Sequence, residues 1–233
     1  MTSPKVIYFP FYALFLTLLS VPMEASAYTL PSVVVRASSD SIYHGSSENA
    51  GEASIAINAE LPISANWIAG LQFQDSNPSG VRQRHRNISG YLGFDKKIAK
   101  NWLSSTYFTH RAFPGSGRTW DYDEFTTRLT HQNGLSFGTF YAPNYYSSSV
   151  KALGANIQYT GRLVDRFYWR SQAGNINIPS LFSYQYADFT VGTSYKRINV
   201  ELGYHWTSET LIQTSVGTID SPDFVLSVNY VVF

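Results

Sequence analysis

From Val33 to the C-terminus, apolar side chains recur at every second residue and not at spacings of three and four. The plainest stretch sets Ile198, Val200, Leu202, Tyr204 and Trp206 against Asn199, Glu201, Gly203, His205 and Thr207. A strand with one apolar and one polar face produces this pattern, and a helix does not. It returns in Ala187, Phe189, Val191, Thr193 and Tyr195 against Asp188, Thr190, Gly192 and Ser194, and in Ile55, Ile57, Ala59 and Leu61 against Ser54, Ala56, Asn58 and Glu60. Weaker copies cover Trp67 to Gln74, Ile88 to Asp95, Leu135 to Ala142 and Leu153 to Thr160. Each is near the roughly 9 to 11 residues that a tilted strand needs to cross a bilayer.

Twelve such segments can be counted, at 33–43, 52–61, 67–75, 86–96, 101–111, 122–131, 135–144, 151–160, 166–175, 186–195, 198–208 and 223–233, with ten as the alternative count. An even number lets antiparallel strands close with both termini on one side. The links alternate in length. After even segments they are short: Pro62 to Asn66, Lys97 to Lys100, Gln132 to Gly134, Gly161 to Asp165, and Lys196-Arg197. After odd segments they are longer: His44 to Gly51, Asp75 to His85, Ala112 to Asp121, Tyr145 to Val150, Ile176 to Tyr184, and Glu209 to Pro222. Short periplasmic turns and long extracellular loops are the asymmetry of outer-membrane barrels. Proline agrees, because it lacks the N–H a ladder needs: Pro31, Pro62, Pro78, Pro114, Pro179 and Pro222 fall in links or at strand starts.

Lys5 followed by the apolar run Val6 to Met23 and the small-residue site Ala25-Ser26-Ala27 reads as a secretory signal peptide cut after Ala27. The domain plan is therefore a signal peptide at 1–27 and a barrel at 28–233. Composition narrows the class further. Without cysteine there is no disulfide framework, thiolate metal site or lipoprotein anchor. Only 14% of residues are charged, with a net charge of +1, which argues against a nucleic-acid partner.

A secreted β-sandwich would also alternate, but it has no reason to place aromatics at strand ends. Here Trp67, Phe94, Trp102, Tyr159, Phe167 and Tyr195 lie beside the short turns, and Tyr43, Trp120, Tyr122, Tyr145, Tyr186 and Trp206 lie near the long loops. Two interfacial girdles would use these positions, so the expected fold is all-β, a transmembrane antiparallel β-barrel. The last strand runs from Phe224 to Phe233, but Phe233 falls on the face of Ser227 and Asn229. A bulge near Val231 would move it to the apolar face.

The opening Asp40-Ser41-Ile42-Tyr43-His44-Gly45-Ser46-Ser47, the stretches Phe113-Pro114-Gly115 and Trp120 to Phe125, and Tyr141-Ala142-Pro143-Asn144-Tyr145-Tyr146 resemble the TorF-type porin family of proteobacterial outer membranes. His44 stands where that family usually carries Arg. The resemblance spans most of the chain after the signal peptide and implies a porin-like channel. The C-terminal strand ending in Phe233 resembles the signal read by the barrel-assembly machinery. With outer-membrane lipids and lipopolysaccharide, that machinery completes the expected partners.

The polar parity gives the inward set. Its charged members are Arg36, Asp40, Glu60, Asp95, Arg128, Arg170, Asp188 and Glu201, with His205, and these are the expected pore-lining residues. Five acidic groups facing three arginines would set up a transverse field in a narrow pore. The same groups could instead pair off and close the lumen, and both readings stand at this level. An enzyme needs a nucleophile, a base and an orienting group together. Only His44 with Ser46, Ser47 and Glu48 offers those types, and no nucleophile motif surrounds it. His110 is expected in the lumen beside His205. Asp121, Asp123 and Glu124 could take a divalent cation, but the glycine and ligand ladder of a calcium loop is missing, so a solvated acidic loop is the expectation. The run Val81 to Arg86 is either a solvated cluster or a contact for lipopolysaccharide phosphates. The expectation is a non-enzymatic channel with no cofactor and no metal, passing small polar solutes by diffusion. A non-conducting structural or adhesive barrel and a rim-sited lipid hydrolase are the alternatives.

Overall fold

The computed structural model describes residues 30–43, 46–47, 51–76, 85–114, 121–145, 150–179, 182–208 and 223–232. The leader at 1–27 lies outside these residues. The strands are β1 (Ser32–Ser38), β2 (Ile42–Tyr43), β3 (Ser46–Ser47), β4 (Ser54–Pro62), β5 (Trp67–Ser76), β6 (His85–Ala99), β7 (Trp102–Ala112), β8 (Tyr122–His131), β9 (Leu135–Tyr145), β10 (Val150–Val164), β11 (Phe167–Ile178), β12 (Phe182–Tyr195), β13 (Ile198–Thr207) and β14 (Asp223–Val231). All but β2 and β3 form one closed antiparallel barrel of twelve strands, each paired with its neighbours in the chain, and β1 seals it by pairing with both β4 and β14. Closure satisfies every ladder edge, which a sheet in hydrocarbon requires. The expected count of twelve and its parity match this barrel.

The ends of the segments differ from expectation where β6 runs on through Ala99 and β10 through Val164 in place of expected links, and in three further places. The first barrel strand stops at Ser38, and the chain turns in to make the separate β2–β3 hairpin, Ile42 opposite Ser47. The stretch Ile176 to Tyr184 is not a long loop, since β11 and β12 stay paired out to Ile178 opposite Phe182. No bulge interrupts β14, which runs in unbroken register from Ser227 opposite Ser38 to Val231 opposite Val34, and Phe233 lies outside the described residues. The turns at the other end are tight: Asp165-Arg166 joins β10 to β11, and Gly134, with φ of 97°, joins β8 to β9. A side chain at Gly134 would meet the Thr160 backbone, so the turn needs a residue without one.

The barrel wall shows two polarity patterns. Along most of its height the outer face is apolar and exposed, as in Ile55, Ile57, Leu71, Phe73, Leu202, Tyr204, Leu226 and Val228, while Asn58, Gln72, Ser105, Gln158, Glu201 and Asn229 are buried inside. Toward the long-loop ends of β11 and β12 the faces exchange. Asn175, Asn177, Ser183 and Gln185 are exposed outside, and Ile176, Ile178, Tyr184 and Tyr186 are buried inside. The same exchange occurs on β7 and β8, where His110 and Asp123 pair on the outer face at 2.8 Å while Phe113 and Tyr122 are buried. A strand surrounded by water must hide its apolar side chains inward, so this section is the barrel's continuation past the bilayer.

The barrel interior as candidate functional site

Inside the barrel, aromatic rings lie across glycines of the neighbouring strand. Tyr91 is cross-strand partner of Gly70, Tyr107 of Gly93, Phe140 of Gly154, Tyr168 of Gly192 and Tyr186 of Gly174, and in each case the ring occupies the space a Cβ on that glycine would need. Covering glycine lets a large ring lie along the wall of the barrel rather than project across it.

What lies on the far side of each glycine decides the chemistry. Glu60 is the other partner of Gly70, and the Tyr91 hydroxyl crosses the glycine to donate to Glu60 Oε2 at 2.9 Å. Glu201 is the other partner of Gly192, and the Tyr168 hydroxyl donates to Glu201 Oε1 at 2.7 Å. The strand triplets β4-β5-β6 and β13-β12-β11 therefore carry the same carboxylate, glycine and tyrosine row. Where the acceptor is replaced by Ile176, the ring over Gly154 is Phe140, without a hydroxyl.

The charged residues fall into distinct sets. Arg111 and Glu124 are almost wholly buried, with Nε and Oε2 3.6 Å apart, beside the Tyr122 ring at the long-loop end. Asp188 and His205 are cross-strand partners joined at 2.7 Å, Oδ1 to Nδ1. Arg170 reaches Glu201 at 3.6 Å, and both the Arg170 and Arg36 guanidiniums lie within electrostatic range of the Tyr168 hydroxyl. Glu60 and Asp95 lie within range of each other, Asp95 accepting from the Tyr107 hydroxyl at 3.4 Å, and among the described residues neither has an ion-pair partner. Arg128 is buried, its Nη1 donating to Gln158 at 3.5 Å.

Asp40 departs from the others. It belongs to the inward-turned hairpin and not to the barrel wall, where its Oδ1 accepts from the Ser47 hydroxyl at 2.8 Å and from the Ser41 N–H at 2.6 Å. The hairpin is tied to the wall by Gln74, whose Nε2 donates to Ser41 Oγ at 2.8 Å while its Oε1 accepts from Gln72. Asp40, Ser41, Ile42 and Ser47 are all buried. On the opposite side of the mouth, Phe113, Tyr122, Phe140, Ala142, Tyr145, Ala152, Ile176, Ile178, Tyr184 and Tyr186 form one apolar cluster. Inward side chains at the long-loop end are thus largely buried, Gln74, Asn87, Thr109 and Arg111 among them, while His205 and Thr207 on β13 keep partial exposure. Toward the short turns, Arg36, Glu60, Asp95 and Arg170 keep partial exposure.

Several expectations change here. Tyr122, Tyr145 and Tyr186 are not girdle residues but interior ones, because their strands have already left the bilayer; Tyr43 and Trp120 lie outside the residues whose side chains are described. Trp67, Phe167, Tyr195 and Trp206 do face outward. His110 is on the outer wall, not in the lumen. Asp121, Asp123 and Glu124 do not converge: Asp121 accepts from the Phe113 N–H, Asp123 faces His110 outside and Glu124 faces Arg111 inside. Among the described residues no cluster of three metal-ligating side chains occurs. The Ser47 hydroxyl donates a hydrogen bond to the Asp40 carboxylate; the rest of the His44, Ser46 and Glu48 group, and most of the run from Val81, lie outside the residues whose side chains are described. Arg111 and Tyr107 were not among the expected interior residues, and Glu124 was expected in a solvated acidic loop. Their signal was the odd parity of β7, obscured because Phe108 and His110 make its outer face mixed as well.

No protein-family profile matches the chain, and no curated protein matches it. Solved structures do. The KdgM porin is similar with a TM-score of 0.56 at 9% identity, over 85% of this chain and 98% of that one. The KdgM porin in complex with disordered oligogalacturonate gives 0.55 at 8% identity, over 86% and 98%. LpxR from Salmonella typhimurium gives 0.47 at 7% identity, over 87% and 99%. The chain thus has a porin-like barrel fold.

Proposed function

We propose that this protein is an outer-membrane channel through which small polar solutes diffuse passively, with its short turns in the periplasm and its long loops outside the cell. The observation that carries this reading is the opposition of an apolar outer belt to an interior whose partly exposed side chains are charged, Arg36, Glu60, Asp95 and Arg170. A barrel filled only for stability has little use for such groups, since interior charges are costly to desolvate even when paired and are best tolerated where they face water. The pore-lining set we assign is Arg36, Glu60, Asp95, Arg128, Arg170, Asp188, Glu201 and His205, with Asp40 at the constriction. The chemistry is transport rather than catalysis, and the TorF-type resemblance and the KdgM-like fold point the same way. Cleavage after Ala27 delivers the chain to the assembly machinery.

The buried long-loop half favours a second reading, a barrel that does not conduct. Single-channel recording of the purified protein in a planar bilayer separates the two. Stepwise conductance is expected, from protein that fractionates with the outer membrane and migrates heat-modifiably on gels. A silent bilayer with correctly folded protein would leave the structural barrel as the function.

A further inference from the structure

We propose that the short-turn rim of the barrel holds the phosphate headgroup of an anionic phospholipid, in the leaflet that faces the periplasm, between Arg166 and Lys196. The inference rests on the orientation given above and not on conduction. Where the outer apolar belt ends, the β6–β7 turn region carries Lys96, Lys97 and Lys100, and the neighbouring β10–β11 and β12–β13 turns carry Arg162, Arg166, Lys196 and Arg197. All seven are exposed, and the exposed carboxylate among them is Asp165. Glu60 and Asp95 lie on the inward face instead, where they accept the Tyr91 and Tyr107 hydroxyls.

Two of these cations share one ring. The Arg166 guanidinium carbon lies 5.0 Å from the centre of the Tyr195 ring and Lys196 Nζ lies 5.4 Å from it. The Ser194 N–H donates to the Arg166 carbonyl at 3.0 Å, which fixes one turn beside the other. The face of the ring attracts each cation, but two cations held at one ring repel each other. Among the described residues no carboxylate lies within ion-pair distance of either, Asp165 included. Arg197 is engaged elsewhere, its Nη1 donating to the Val232 carbonyl at 2.6 Å. Lys196 adds an independent sign. Its φ is 53°, the one positive value among the described residues other than glycine. Glycine, asparagine or aspartate ordinarily fills such a position in a two-residue hairpin turn, because a longer side chain is disfavoured there. The turn thus carries an ammonium group at a cost in stability. A phosphate diester fits the pair, since arginine offers two parallel N–H donors to its oxygens and lysine a point charge. Its acyl chains run along Phe167, Val164 and Ile198, exposed on the outer face beside the turns. Phosphatidylcholine brings its own cation to the same place and is held less.

Native mass spectrometry of the full barrel, purified from membranes and offered equal phosphatidylglycerol and phosphatidylcholine in detergent, counts the bound lipid. Phosphatidylglycerol is expected in about 2- to 5-fold excess, the factor that one exposed ion pair supplies. R166Q and, independently, K196N should bring the ratio toward one, while K96Q/K97Q leaves it unchanged. K196N should also lose its heat-modifiable fold at the wild-type temperature or above, since asparagine accepts the left-handed conformation, so a preference lost there is not misfolding. No phosphatidylglycerol excess in the wild type, a ratio that R166Q and K196N leave unaltered, or one lowered as far by K96Q/K97Q, overturns the site and leaves orientation and channel standing. In cells, Ala65→Cys, exposed in the β4–β5 turn, should react with an impermeant polymer maleimide only after the outer membrane is permeabilised. Labelling in intact cells overturns the orientation, and the leaflet assigned here with it.

Discussion

The membrane-embedded wall and its continuation above the bilayer on β7 to β12 are built from the same ladder but with opposite polarity. Below, Leu202 faces out and Glu201 faces in; above, Asn177 faces out and Ile176 and Ile178 face in. The difference teaches that alternation alone says only that two faces differ. What surrounds the strand decides which face is apolar. It also divides the interior: the upper section holds a packed apolar core, whereas the lower section keeps partly exposed charged side chains inside.

The strongest way to break this comparison is to empty the upper core. Phe140→Ala removes a buried ring from the apolar cluster and should cost about 3 to 5 kcal/mol, read as a lower urea midpoint for refolding into vesicles. Next in size is Leu202→Arg, which places a charge on the lipid face and should cost about 2 to 4 kcal/mol if it lies near the midplane. Gly203→Ser beside it meets only the ends of the His205 and Thr190 side chains and should be mild. Equal tolerance at the two positions would mean the faces are misassigned. The hairpin tie is smaller. Gln74→Ala removes the donor to Ser41 and should cost about 1 kcal/mol, yet single-channel conductance should rise as the hairpin loosens. Smallest is Asn177→Leu, on the exposed outer face of the upper section, expected within about 0.5 kcal/mol.

The parts of the fold that were legible were those in which lipid dictates the pattern. From Ile198 to Trp206 the outer face must be apolar, so parity could be read directly, and the inward residues Arg36, Glu60, Arg170 and Glu201 followed from it. Legibility failed where the strand leaves the bilayer. Tyr122, Tyr145 and Tyr186 suit an interfacial girdle as well as a packed interior, and nothing local distinguishes the two. Asn175, Asn177, Ser183 and Gln185 resemble a loop, although they are the wet face of paired strands. The pairing of Tyr91 and Tyr168 with their glycines and glutamates depends on cross-strand register, which links of unequal length conceal.

The division of the lumen into a tightly packed upper part and a more open lower part is tested most directly by thiol accessibility, because the chain has no cysteine of its own. Ser89 and Asp95 lie on the same inward face of β6, Ser89 opposite Gln72 and Asp95 opposite Ser105. Single variants Ser89→Cys and Asp95→Cys, folded in vesicles and exposed to a small water-soluble methanethiosulfonate, report each level separately. The account predicts rapid labelling of the cysteine at position 95 and strong protection at position 89. Labelling of both at the same rate would contradict it.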